Sequence, residues 1–107
     1  MRDLTELNRL EEYLKTNRIP YERVDQDDEF LDPEHVYCKG KSECHQLIVY
    51  NERGKRLWDA ICHRGSYGAE AGLLEVMGDI VDEKTIGDTV EGWLTAEDII
   101  RRIDKKE

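Results

Sequence analysis

Apolar residues fall at two spacings along this 107-residue chain. Leu4, Leu7, Leu10 and Leu14 recur three or four positions apart, with Tyr13 beside them, which predicts an amphipathic helix over residues ~3–16. Thr16-Asn17-Arg18 ends it, and Pro20 cannot continue it. Tyr21 to Val24 then suits a short edge strand. His45–Tyr50 and Arg56–Cys62 read as two strands, joined by an Asn51-Glu52-Arg53-Gly54-Lys55 turn with Gly54 in the left-handed position. Pairing Asn51 with Lys55 sets a register: Val49 opposite Leu57, Leu47 opposite Asp59, His45 opposite Ile61, and Cys44 opposite Cys62. His45, Leu47, Val49, Leu57, Asp59, Ile61 and His63 would then share one face. Cys44, Gln46, Ile48, Tyr50, Trp58, Ala60 and Cys62 would share the other. Both faces carry apolar groups, so the hairpin is expected in the interior, partly covered on each side.

Two more helices are expected. Ser66 can cap one that runs to Met77, with Gly78 as its stop and Tyr67, Ala71, Leu74 and Met77 as its inner stripe. Gly68, Ala69, Ala71 and Gly72 would let its backbone approach a sheet or a ligand closely. Asp79 to Asp88 reads as a polar excursion. Thr95 is an N-cap with Asp98 at N3, a capping-box variant, and Leu94 can staple onto Ile99. Ile99, Ile100 and Ile103 form the buried stripe of a helix over ~96–104, and Asp104 to Glu107 should fray. The expected fold is therefore α+β, one domain over residues 1–107. A small, mainly antiparallel sheet is centred on a hairpin at about 45–62, with N-terminal, middle and C-terminal helices packed on it.

Charge refines this picture. The net charge is −9, spread as −6 over residues 1–34, +3 over 35–64 and −6 over 65–107. An acidic surplus argues against direct nucleic-acid binding, which needs Lys and Arg to neutralise phosphates. It suits docking on a basic protein, for which Asp25, Asp27, Asp28, Glu29, Asp82 and Glu83 are the contact candidates, or simply a solvated surface. Phe30 and Leu31, inside the acidic Asp25–Glu34 loop, are expected to tuck onto the core. No run of about 18 apolar residues exists and the N-terminal segment is polar, so neither a membrane span nor a signal peptide is expected. The expected location is the cytoplasm, with the three cysteines reduced.

Three chemistries are open to these residues. The basic middle offers an anion site: His63, Arg64 and the backbone N–H groups of Gly65, Ser66, Tyr67 and Gly68 converge at the start of the middle helix. His45 could join from the same face, and Trp58 and Tyr67 could stack a base. Its plain alternative is a tight strand-to-helix connection. For zinc, His35, Cys38, Cys44, His45, Cys62 and His63 cluster in one stretch, but no Cys-x2-Cys is present and the register splits the ligands between faces; no metal or other cofactor is expected. For nucleophilic catalysis, Cys62 and His63 are adjacent on a strand and so point apart, and Gly65-Ser66-Tyr67-Gly68 is not a nucleophile elbow. Glu70 and Glu75 do not share a helical face. An enzyme is not expected.

Trp58-Asp59, Gly65-Ser66-Tyr67-Gly68, Glu70, Gly72-Leu73-Leu74-Glu75 and Glu91-Gly92-Trp93-Leu94-Thr95-Ala96-Glu97-Asp98 resemble a family of short uncharacterised proteins of gram-positive bacteria, their phages and mobile elements. The likeness covers roughly the second half, with a similar opening helix at Leu10-Glu11-Glu12-Tyr13-Leu14. It implies no activity or catalytic residue. By analogy of size and charge, such proteins act by stoichiometric binding. The leading expectation is thus a non-enzymatic inhibitor of a host defence system, CRISPR-inhibitor-like, which occludes a basic, nucleic-acid-binding effector. The alternatives are a nucleotide or small-anion sponge using the His63–Gly68 site, and a small zinc or enzymatic module.

Overall fold

The computed structural model describes residues 2–26, 44–63, 66–81 and 90–106. The elements run α1 (Thr5–Thr16), β1 (Tyr21–Gln26), β2 (Cys44–Tyr50), β3 (Arg56–Ile61), β4 (Leu74–Gly78), β5 (Val90–Leu94) and α2 (Ala96–Lys106). The strands form one five-stranded sheet in the order β1-β2-β3-β4-β5, every neighbouring pair antiparallel. Leu7, Leu10 and Leu14 of α1 and Ile99 and Ile103 of α2 are buried in one cluster with Leu47, Val49, Trp58, Ala60, Leu74, Val76 and Leu94 of the strands. No described helix is long and apolar enough to cross a membrane.

The outer helices follow their sequence patterns, except that α2 continues to Lys106, past Asp104 where fraying was expected. α1 closes in a Schellman motif: Ile19 N–H donates to the Leu14 carbonyl (3.0 Å) and Arg18 N–H to the Lys15 carbonyl (3.2 Å). Arg18 occupies the left-handed position, φ +55°, where glycine is usual. α2 begins with the expected capping box, Asp98 N–H to Thr95 Oγ1 (3.1 Å) and Thr95 N–H to Asp98 Oδ2 (3.0 Å). The helices are also tied together. Glu6 of α1 accepts the Ala96 N–H at 2.9 Å, which satisfies an orphan donor of α2, and Tyr13 OH donates to Asp104 at 2.7 Å. Arg102 grips Glu91 of β5 with both arms of its guanidinium.

The hairpin turn forms as its sequence suggests, but the ladder beyond it does not. Asn51 N–H donates to the Lys55 carbonyl (2.9 Å), and Gly54 sits at φ +81°. Tyr50 then pairs with Arg56, but Val49 pairs with Trp58, so Leu57 is an extra residue, a β-bulge. Beyond it every partner moves by one: Ile48 faces Asp59, Leu47 faces Ala60 and Gln46 faces Ile61. Side chains alternate with period two, so this step exchanges the two faces of β3. Trp58 and Ala60 join Leu47 and Val49 in the core. Asp59 and Ile61 move to the opposite face with Gln46 and Ile48. The expected opposition of Cys44 and Cys62 is corrected too: Cys62 N–H donates to the His45 carbonyl (2.9 Å), and neither cysteine forms a disulfide.

The middle helix is replaced by a single 3-10 turn at Ala69–Ala71 and by β4, so among the described residues two α-helices pack on the sheet, without the expected middle one. Gly72, at φ +75°, ends the turn, and a side chain there would collide with Asp3. Past it, Leu74 and Val76 alternate inward as strand residues. Of the expected helical stripe only Leu74 is buried; Tyr67, Ala71 and Met77 are exposed. β5 runs through a segment for which the sequence suggested no element.

Two substitutions test these connections in urea unfolding. Arg18→Gly should stabilise by about 1 kcal/mol, because it removes the cost of a left-handed arginine. Gly78 has φ +112°, and a Cβ there would lie 2.5 Å from the Leu57 carbonyl oxygen. Gly78→Ala should therefore destabilise by about 2 kcal/mol or more.

Candidate functional site

The turn that opens at His63 is built to satisfy itself. Ser66 Oγ donates to the His63 carbonyl (2.8 Å) and accepts the His63 N–H (3.0 Å), while Ser66 N–H donates to the same carbonyl (2.9 Å). Ser66 thus closes a loop and does not cap a helix. Tyr67 N–H donates to Glu75 Oε1 at 3.0 Å, and Ala69 N–H to the Ser66 carbonyl at 3.2 Å. A carboxylate of the chain itself therefore takes one of the donors that an incoming anion would use. With three residues in the turn there is no helix dipole to add to it. Arg64 and Gly65 lie outside the described residues.

What this loop does build is an aromatic platform. Tyr67 is 59% exposed and Trp93, across from it on β5, is 64% exposed. Between Leu74–Leu94 and Val76–Glu91 the ladder holds one residue more on β5 than on β4. This second bulge contains Gly92 and Trp93. Trp93 is left-handed, φ +61°, a conformation that costs a bulky side chain about 1–2 kcal/mol. Its N–H donates to the Tyr67 carbonyl at 3.2 Å. Two glycines make the approach possible. A Cβ on Gly92 would overlap Tyr67 Cβ, and one on Gly68 would lie 3.0 Å from Trp93 Cα. The two residues line an open recess of about 210 Å³, together with Arg2, Ser66, Gly68 and Glu70. A tryptophan that is both strained and exposed contributes little to the core and much to a surface.

The other expected site residues lie elsewhere. Trp58 is buried and lines a second recess of about 220 Å³ with Val49, Leu57, Ile80 and Ile103, so it cannot stack with Tyr67. His45 is 6% exposed and faces α1; its Nδ1–H donates to Asp25 Oδ1 at 2.9 Å. Asp25, expected as a docking acid, is held by His45 and by Arg23 (2.9 Å), and Arg23 in turn reaches Glu11 (3.0 Å) and Asn8 (2.8 Å) of α1. Partial burial pushes the Asp25 carboxyl up, but the hydrogen bonds from His45 and Arg23 and the guanidinium charge outweigh it and hold the group below its usual value. Asp27, Asp28, Glu29, Asp82 and Glu83 lie outside the described residues, as do Phe30 and Leu31, Cys38 and His35.

The thiols are poorly placed for chemistry. Cys62 is fully buried and its Sγ points to the Asp3 carbonyl (3.6 Å). Burial, then the charges of Asp25 and Asp59, push the Cys44 thiol above its usual value, which reduces its thiolate fraction. Among the described residues no three His, Cys, Asp or Glu side chains are grouped to hold a metal ion. No protein family, curated protein sequence or solved structure matches the chain.

Trp93 was missed as a site residue because nothing in Glu91-Gly92-Trp93 marks the residue it meets 26 positions earlier. The usable signal was Gly92, since a glycine within a strand marks a bulge or a close backbone approach.

Two measurements follow from this geometry. Trp93→Gly should leave the fold intact and raise its stability by up to about 1 kcal/mol in urea unfolding, because the left-handed strain disappears. For pH, Asp25 and Asp98 both have lowered pKa values, Asp98 chiefly through the Thr95 backbone hydrogen bond. Their stabilisation is complete above the unfolded value of about 3.9 and is lost as pH falls through the lower folded values. Below about pH 4, Asp25→Asn should flatten the fall of the thermal midpoint with pH relative to the parent protein.

Proposed function

We propose that this chain is a non-enzymatic binding protein that engages a protein partner through the platform of Tyr67 and Trp93. The observation that carries this reading is the left-handed, exposed Trp93 locked against the Tyr67 carbonyl. Rigid, exposed aromatic residues lose little conformational entropy on contact and are the commonest anchors of protein interfaces. Met77, 47% exposed, adds a further apolar surface residue. The net charge of −9 favours a basic partner through long-range attraction. In the setting implied by the resemblance of the second half, the biological form of this reading is a stoichiometric inhibitor of a defence effector in the host cytoplasm.

The small-anion alternative loses its main support. It relied on a helix start at Ser66, and in its place stands a self-satisfied turn with Glu75 bonded to Tyr67.

The test is partner capture from host lysate by tagged parent protein and by tagged Trp93→Gly, both checked for folding by circular dichroism. A stoichiometric partner retained by the parent should be lost from the variant, with about a 30-fold drop in affinity for a hot-spot residue worth about 2 kcal/mol. Equal retention by both proteins would remove the platform from the interface.

A further inference from the structure

The charges that rim the recess restrict what it can take, and from them we infer that the Tyr67–Trp93 recess receives a cationic side chain, an arginine or lysine from a basic segment of the partner. This rests on the binding reading above and names the chemistry of the contact. Two exposed rings supply the negative π faces that attract a cation. Glu70, exposed, lines the same recess and can accept hydrogen bonds from a guanidinium or ammonium. Glu75 lies beneath Tyr67 through its bond to the Tyr67 N–H, and Asp3 lies against Gly72 at the end of the same loop. Among the described residues Arg2 is the one basic residue lining the recess, and it is already engaged within the chain. A phosphate or carboxylate entering here would meet Glu70 and a protein with a net charge of −9, whereas a cation meets complementary charge at both ranges.

Arginine suits the site better than lysine. Its guanidinium is planar and weakly hydrated, so it can stack on a ring while its edge donates to a carboxylate. The recess is open and of modest volume, which fits one side chain on an extended segment and not the burial of a whole small ligand. Such a contact supplies register within a larger interface whose attraction comes from the acidic surface.

The two tryptophans allow a direct test with the full chain. Trp58 is buried at 5% exposure and Trp93 is exposed, so emission that acrylamide quenches readily reports Trp93. The probes are three ten-residue Gly/Ser peptides bearing three arginines, three glutamates or three leucines. The arginine peptide should shift and protect the Trp93 emission, bind about tenfold more tightly than the glutamate peptide, and weaken as salt is raised. Glu70→Lys should reduce its affinity about fivefold or more, Arg2→Ala should increase it, and Trp93→Phe should remove the spectral change. Preference for the glutamate or the leucine peptide, or an unchanged affinity in Glu70→Lys, would overturn the cationic assignment while leaving the platform as the binding surface. If no peptide affects Trp93 but partner capture still depends on it, the cationic assignment fails and the binding reading survives. If capture is also independent of Trp93, both fail.

Discussion

The hydrogen bond from Asp79 N–H to the Leu57 carbonyl, 3.1 Å, pins the bulge from which the sidedness of the sheet follows. Gly78, opposite Trp58, leaves room for that carbonyl where any Cβ would crowd it. With Leu57 set aside as the extra residue, Trp58 and Ala60 turn inward to meet α1 and α2, and Asp59 turns to the opposite face, where it is also buried. Asp59 is then satisfied by Gln46 (2.6 Å) and Arg56 (3.0 Å) on the face away from the helices. Without the bulge, the same strand would bring an aspartate under the helices and leave a tryptophan outside. The cost of burying an unpaired carboxylate makes that arrangement untenable.

A second bulge repeats the device at the other side of β4 with a different outcome. At Leu57 the extra residue serves the core. At Gly92-Trp93 it turns an aromatic side chain outward, and Gly68 and Gly92 allow the Ser66–Ala71 loop to seat against it. The strain of Trp93 is carried by the stable sheet on which it stands, a common division between a scaffold and its surface. The polar group His45–Asp25–Arg23–Glu11 belongs to the scaffold. It fastens the edge strand β1 to α1 through charged hydrogen bonds, so Asp25 is engaged within the fold although its side chain stays 48% exposed.

Much of the scaffold could be read from the sequence. The leucine spacing marked α1, the Thr95–Asp98 box marked α2, and the Asn51–Lys55 turn marked the hairpin, because each depends on contacts within a few residues. What failed depends on distant partners. Tyr67, Ala71, Leu74 and Met77 fit a helical stripe, whereas Leu74 and Val76 fit an alternating strand, and periodicity cannot choose between the two in so short a run. The choice falls to Gly72 and to Asp3, 69 residues away, which crowds it. The hairpin register failed for a similar reason, since Gly78 and Asp79 hold the bulge from the next strand. At the candidate site, Tyr67 and the glycine turn were legible as a special loop. Their partner was not, because the left-handed Trp93 lies in a strand of five residues interrupted by Gly92, too short to announce itself.

The order of the sheet has a consequence for how the protein is made. Each strand pairs with the one preceding it, so the sheet can extend by one strand at a time as the chain leaves the ribosome, the five-residue turn between β2 and β3 being the shortest closure. The first helix has no such local partner. Leu7, Leu10 and Leu14 can begin to shelter when β2 and β3 form, but the Glu6–Ala96 and Tyr13–Asp104 bonds span about ninety residues and wait for the last helix. Until α2 docks, an apolar stripe at the start of the described chain has only part of its cover. α2 therefore acts as a latch, and a nascent chain halted before it would present the α1 stripe to chaperones and proteases.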